Sequence, residues 1–138
     1  MKKLLSVLLA LILLFSLTTT AYASNDAEEA PNVTTEDFNY FIYVTNALVI
    51  ESGTANCGAS ANCVSSVDRI DMSMYLQKYD GGWVTIKYWT NRTNSDYATI
   101  SGQWRVSSGY TYRNRCFYYA YIDGVCVEST ITNNYESY

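Results

Sequence analysis

Histidine is absent from all 138 residues, which removes the Ser-His-Asp and Cys-His arrangements and the commonest general acid–base. The four cysteines show no Cys-x-x-Cys spacing and have no histidine to join them, which speaks against a zinc site. No Gly-rich phosphate loop, calcium loop or basic stripe occurs. No metal, no cofactor and no nucleic-acid partner are therefore expected. The single proline, Pro31, lies in a polar, acidic stretch, and from Tyr40 to Tyr138 nothing repeats with a helical period. Carboxylate pairs such as Asp68 with Asp71, or Glu128 facing the Phe117–Tyr121 strand, leave a glycoside hydrolase conceivable. Their spacing is ordinary, and the expectation is that the protein is not an enzyme.

What the chain does contain begins with a leader. Lys2-Lys3, an apolar run from Leu4 to Leu17 and the triplet Ala21-Tyr22-Ala23 are the three parts of a secretory signal. Residues 1–23 are expected to be removed, leaving Ser24 first. A retained span needs about 20 apolar residues, and Ser6 with Thr18-Thr19-Thr20 leaves this run short. The expected location is extracellular, with no membrane partner after cleavage. A leader this short and basic reads as bacterial, and the sequons at Asn32 and Asn91 as chance.

Losing Lys2 and Lys3 moves the formal charge from −4 to −6. Five acids, Asp26, Glu28, Glu29, Glu36 and Asp37, precede Phe38, leaving 13 − 5 = 8 acids against 9 − 2 = 7 bases in the body. Residues 24–39 read as a flexible acidic lead-in and 40–138 as one nearly neutral domain, which speaks against an anionic membrane or nucleic acid.

That domain reads as strands. Tyr40 to Glu51 stops at Ser52-Gly53, and Thr54 to Cys63 alternates small residues. In Val67 to Lys78, Ile70, Met72, Met74 and Leu76 take one side. At Asp80-Gly81-Gly82 a three-residue turn keeps the apolar faces together, setting Leu76 opposite Ile86 and Met74 opposite Tyr88, with Trp83, Lys87 and Trp89 on the outer side. Tyr97 to Val106 follows. Last comes a hairpin turning at Asp123-Gly124, where positive φ is needed at both positions. It pairs Ile122 with Val125, and counting onward sets Tyr119 against Glu128 and Phe117 against Thr130.

Seven such strands without helices predict an all-β, seven-stranded antiparallel sandwich. The stretch Val106-Ser107-Ser108-Gly109-Tyr110-Thr111-Tyr112, with Asn114, Cys116, Tyr118 and Ala120 alternating after it, resembles the tyrosine corner of fibronectin type III and immunoglobulin-like domains. The order of hairpins resembles theirs too. Leu76-Gln77-Lys78, Gly82-Trp83, Ile86 with Trp89, Gly109-Tyr110-Thr111-Tyr112-Arg113, and Gly124 with Glu128 are together similar to a group of small secreted Gram-positive proteins with one β-domain and no assigned function. That resemblance implies fold and compartment, and no activity.

An even cysteine count in an exported domain implies two disulfides. Cys116 and Cys126 project to opposite faces of their hairpin, too far apart to join. In the sandwich, matching heights favour Cys57–Cys116 and Cys63–Cys126, with a local Cys57–Cys63 bridge as the rival.

The content that stands out is aromatic, with 14 tyrosines. In the expected sheet, Tyr75, Trp83, Trp89, Phe117, Tyr119 and Tyr121 gather on the outer face beside Arg113 and Arg115. Such rings suit stacking of sugar rings or a partner protein. They equally serve as cross-strand pairs, as the cover of a homodimer, or, for Trp83 and Trp89, as core residues turned inward by a bulge. The expected function is an extracellular binding module for cell-wall polysaccharide or a protein. A small secreted toxin or antimicrobial protein is the alternative, although the cationic amphipathic surface of a membrane-active one is missing.

Overall fold

The computed structural model describes residues 32–34 and 37–138, so the expected leader and most of the expected lead-in lie outside the described residues. The strands are β1 (Asn32–Thr34), β2 (Phe41–Glu51), β3 (Thr54–Cys63), β4 (Arg69–Tyr79), β5 (Trp83–Thr93), β6 (Tyr97–Arg105), β7 (Thr111–Ile122) and β8 (Val125–Ser137). They form two antiparallel sheets, ordered β1-β2-β3-β6 and β5-β4-β7-β8. The seven long strands are those the alternation predicts, and β1 adds a short edge within the stretch read as lead-in.

The layers close on each other because alternate residues of β3, β4 and β7 are apolar or small. From β3 come Ala55, Cys57, Ala59, Ala61 and Cys63, and from β4 Ile70, Met72, Met74 and Leu76, all buried. Tyr112 and Tyr118 of β7 are the largest fully buried side chains, and the hydroxyl of Tyr118 reaches across to the Thr45 carbonyl of β2 in the facing sheet. Each fully buried Ile, Leu or Met contributes about 1.5–3 kcal/mol relative to its exposed state.

Local turn chemistry sets the hairpins. Ser52 and Gly53 have φ of 48° and 76°, and Asp123 and Gly124 have 50° and 79°, so both two-residue turns carry the positive φ values that matched strand twist requires. The Asp80-Gly81-Gly82 turn has three residues, with Tyr79 opposite Trp83 and φ of 70° at Gly81.

Beyond two of these turns the expected register changes. In β5, Ile86 is an extra residue between Thr85, opposite Gln77, and Lys87, opposite Leu76. Met74 therefore faces Trp89, not Tyr88, and the parity of everything past Ile86 is inverted. In β8, Val127 is the extra residue: Tyr121 faces Cys126 as expected, but Ala120 faces Glu128, Tyr119 faces Ser129 and Phe117 faces Ile131. Both displacements have a reason in the other sheet. Trp89 turns inward over Gly102 of β6, where a Cβ would lie 2.5 Å from the indole Nε1, so only glycine leaves room. Glu128 turns to the interior side, and its carboxylate accepts the backbone N–H groups of Asn39, Tyr40 and Phe41 at 2.8, 2.9 and 2.7 Å. That clamp ties the start of β2 to β8, and Glu128 does not join the outer face.

The core also holds a polar seam. Asn114 Nδ2 donates to Asn46 Oδ1 at 2.9 Å and to the Ala47 carbonyl at 3.1 Å, while Asn46 Nδ2 donates to the Asn114 carbonyl at 2.8 Å and to Thr132 Oγ1 at 2.9 Å. Tyr118 Oη donates to the Thr45 carbonyl at 2.7 Å and Asn134 Nδ2 to the Asn46 carbonyl at 3.1 Å. Three successive β2 carbonyls are thus satisfied by side chains of β7 and β8. This explains a buried Asn where the alternation asks for an apolar residue. At the entry to β7, buried Tyr112 donates to the Ser107 carbonyl at 2.6 Å and accepts from the Ser107 N–H at 3.1 Å.

Candidate functional site

The outer face of the β5-β4-β7-β8 sheet carries a continuous field of rings and guanidinium groups, in three overlapping clusters. At the end nearest the β4–β5 turn, the Trp83 ring meets Tyr79 at 5.3 Å and Tyr135 at 5.8 Å between centroids, with the Arg113 guanidinium 4.2 Å from the Trp83 centroid. Gln77 holds that guanidinium: its Oε1 accepts from Arg113 Nε at 2.7 Å, while its own Nε2 donates to Thr85 Oγ1 at 2.9 Å. One of the five donors of Arg113 is so engaged.

In the middle, Tyr75 stacks on Tyr88 at 6.1 Å with an interplanar angle of 25° and meets Phe117 edge-on at 5.6 Å. Arg115 lies 5.3 Å from the Phe117 centroid. It makes no ion pair or side-chain hydrogen bond among the described residues, and its buried Nε has no acceptor. Opposite it on β8, buried Asn133 Oδ1 has no donor.

At the far end Asp71 binds two arginines. Arg92 meets it through Nε and a terminal nitrogen, each at 2.9 Å, and Arg69 Nε stands 3.3 Å away. Asp71 raises the pKa of the Arg92 guanidinium by hydrogen bonding and then by charge. Arg69 in turn covers the Tyr121 ring at 3.8 Å, and Tyr119 stands opposite Asp71 and Ser129.

Of the residues the alternation places here, Tyr75, Trp83, Phe117, Tyr119, Tyr121, Arg113 and Arg115 do lie on this face. Trp89 does not: the Ile86 bulge sends it inward, and Lys87 goes with it to lie 4.7 Å from the Trp104 ring. The same bulge brings out Tyr88, at 63% exposure the most open ring of the sheet. Tyr79, Tyr135, Arg69 and Arg92 also belong to the face. Tyr79 continues the alternation of Asp71, Ser73, Tyr75 and Gln77 and was readable from it, whereas Tyr135 lies beyond the Val127 bulge.

The other outer face contrasts with this one. Its central rungs, Thr99-Ser60-Thr45 and Ser101-Gly58-Ala47, are small and uncharged. That face does carry Tyr43 and Tyr97 on either side of Asn62, and Arg105 opposite Thr54, but the ring–guanidinium contacts of the β5-β4-β7-β8 face have no counterpart among these residues.

All four cysteines are free thiols in this structure, and the expected Cys57–Cys116 and Cys63–Cys126 bridges are not formed. Cys126 is exposed beside Tyr121, whereas Cys63 is buried opposite Phe41. Burial pushes the Cys57, Cys63 and Cys116 thiols up to about 12, so they are neutral and poor nucleophiles. Among the described residues no group of His, Cys, Asp and Glu is placed to hold a metal. No family model, curated protein or solved structure matches this chain.

Proposed function

We propose that the chain is a secreted, non-enzymatic bacterial binding module that engages cell-wall polysaccharide, or another extracellular polymer or protein, through the outer face of the β5-β4-β7-β8 sheet. One observation carries the reading: large rings from all four strands, Trp83, Tyr75, Phe117 and Tyr135 among them, lie on that one face with arginines between them. Rings held by a sheet are rigid, carry little conformational entropy to lose and offer wide apolar area edged by donors.

Fibronectin type III or immunoglobulin-like topology fits this role and has two supports. Strands β2, β3 and β6 face β5, β4, β7 and β8 in the order that topology requires, and Tyr112 bonds back to Ser107 as its tyrosine corner does. Export would expose the thiols to oxidation. Cys57 and Cys116 project into the core from facing strands, and Asn114 Nδ2, 3.5 Å from the Gly58 carbonyl, puts those strands in contact at that height. This favours Cys57–Cys116 over the local Cys57–Cys63 bridge. The leader and the similarity to small secreted Gram-positive proteins support an extracellular location.

Co-sedimentation of the purified protein with isolated Gram-positive cell walls and insoluble polysaccharides tests the reading, with Trp83→Ala alongside. Binding that weakens in the variant while its circular dichroism is unchanged supports it. Wild-type binding by the variant removes the sheet face from the function.

A further inference from the structure

We propose that the polymer recognised by this face is an anionic glycan, whose sugar rings lie on Trp83, Tyr75 and Phe117 and whose carboxylate or phosphate groups meet Arg113 and Arg115. The proposal rests on the sheet-face reading above and narrows it to a chemical class.

Charge distribution is the first ground. The chain is acidic as a whole, with a formal charge of −4. Yet this face carries Arg69, Arg92, Arg113 and Arg115 against the single carboxylate of Asp71. Asp71 is spent on Arg69 and Arg92, and neither Arg113 nor Arg115 has an acidic partner among the described residues. A local excess of positive charge on an acidic protein concentrates anions at that one place.

The state of the two central arginines is the second ground. Each sits against a ring, Arg113 on Trp83 and Arg115 by Phe117, where hydration is reduced and a hydrogen bond to a charged acceptor is strongest. Arg113 is aimed by Gln77 with most of its fork free, and Arg115 keeps a buried Nε without an acceptor. That Nε is closed to solvent, and it is the terminal nitrogens of Arg115, which make no ion pair or side-chain hydrogen bond among the described residues, that an oxyanion would meet, a charged acceptor being the strongest partner for a guanidinium. The two stand on one face of β7, two residues apart, so the guanidinium groups are anchored about 6–7 Å from each other. That spacing suits successive charges of a polymer.

Shape selects the glycan among anionic polymers. The rings of β5, β4, β7 and β8 stand out from the face of the sheet, across its whole width, and not in the plane of the backbone in which an extended peptide adds by edge pairing. Single-stranded nucleic acid also alternates rings with charges, but its binders line a continuous basic groove. Here Asp71 interrupts a short positive field.

The test is affinity electrophoresis of the purified protein in gels containing carboxymethylcellulose, hydroxyethylcellulose, poly-L-glutamate or an oligothymidylate. The first two share a backbone and differ in charge. Carboxymethylcellulose is expected to retard the protein at least tenfold more strongly than hydroxyethylcellulose, and added salt should weaken the effect. Arg113→Gln with Arg115→Gln should cost about tenfold or more, Arg115→Lys should restore only part, and Trp83→Ala should weaken every glycan. Equal retardation by the two celluloses overturns the anionic preference and leaves the sheet-face reading standing. Wild-type retardation of the Arg113→Gln, Arg115→Gln protein also overturns the proposal. So does poly-L-glutamate or oligothymidylate retarding the protein as strongly as carboxymethylcellulose. Failure of the sheet-face reading looks different: retardation by glycans, or pull-down by walls, that Trp83→Ala leaves unchanged.

Discussion

Replacing Gly102 by alanine separates an inward from an outward Trp89 by the sign of its effect. A Cβ at Gly102 would lie 2.5 Å from Nε1 and 2.6 Å from Cζ2 of the Trp89 indole. Non-bonded heavy atoms settle near 3.5–4.0 Å, so the ring must withdraw by roughly 1 Å. It is rigid, and its strand is held to β4 with Trp89 opposite Met74, so withdrawal loosens the packing of β5 on β6. Overpacking of this kind costs about 1–3 kcal/mol. Alanine recovers about 0.5–1 kcal/mol over glycine within a strand. The expected net loss is about 1–2 kcal/mol, a fall in Tm of about 4–8 °C for each kcal/mol. With Trp89 outward, only the gain would remain and the variant would be the more stable. Urea unfolding followed by far-UV circular dichroism reads the difference, with Trp89→Leu and the double variant completing the cycle. In the Trp89→Leu background the Gly102→Ala cost should drop below about 0.5 kcal/mol. A Gly102→Ala protein as stable as wild type, or one paying the same cost in both backgrounds, refutes the placement.

Three other perturbations test the surrounding structure. Glu128→Gln removes the charge and one acceptor from the clamp on Asn39, Tyr40 and Phe41, and should cost about 2 kcal/mol in urea unfolding; a loss under about 0.5 kcal/mol would mean solvent replaces it. Tyr112→Phe removes both bonds to Ser107 and should cost about 1–2 kcal/mol by the same assay, whereas an unchanged midpoint would leave the Ser107–Gly109 turn independent of the hydroxyl. In reducing buffer, Cys57, Cys63 and Cys116 titrate near 12 when folded against an ordinary 9.0, through burial, and burial raises Tyr118 as well. Raised values favour the folded state while the groups stay protonated. That stability is intact below pH 9 and lost as pH rises toward 12, so flat stability across this window would contradict the burial of these groups.

Charge and ring content show how an average conceals a site. Eight acids against seven bases in the body read as neutral, and from that balance neither nucleic acid nor an anionic membrane was expected as partner. Pairing β4 with β5 and β7 collects Arg69, Arg92, Arg113 and Arg115 from three strands onto one face. Arg113 and Arg115 have no acidic ion-pair partner among the described residues, and Arg69 and Arg92 share the one carboxylate of Asp71. Tyr88 became visible as a surface ring for the same kind of reason, since its side depends on a residue inserted two positions earlier.

Alternation in Val67–Lys78 and Tyr110–Ile122, together with Ser52-Gly53 and Asp123-Gly124, determined the strands, the two tight turns and most of the inner set, because a period of two and a positive φ are properties of neighbouring residues. The same local rules placed Tyr75, Trp83, Phe117, Tyr119, Tyr121, Arg113 and Arg115 on the outer side. Tertiary structure alone decided where the parity breaks. Ile86 is accommodated as an extra residue because Trp89 then packs over the missing side chain of Gly102, and Val127 because Glu128 then reaches three amides at the start of β2. Both partners lie in the opposite sheet, distant in sequence, and a bulge reverses every side chain beyond it. Which rings finally meet solvent is therefore set by contacts across the core and not by the strand that carries them.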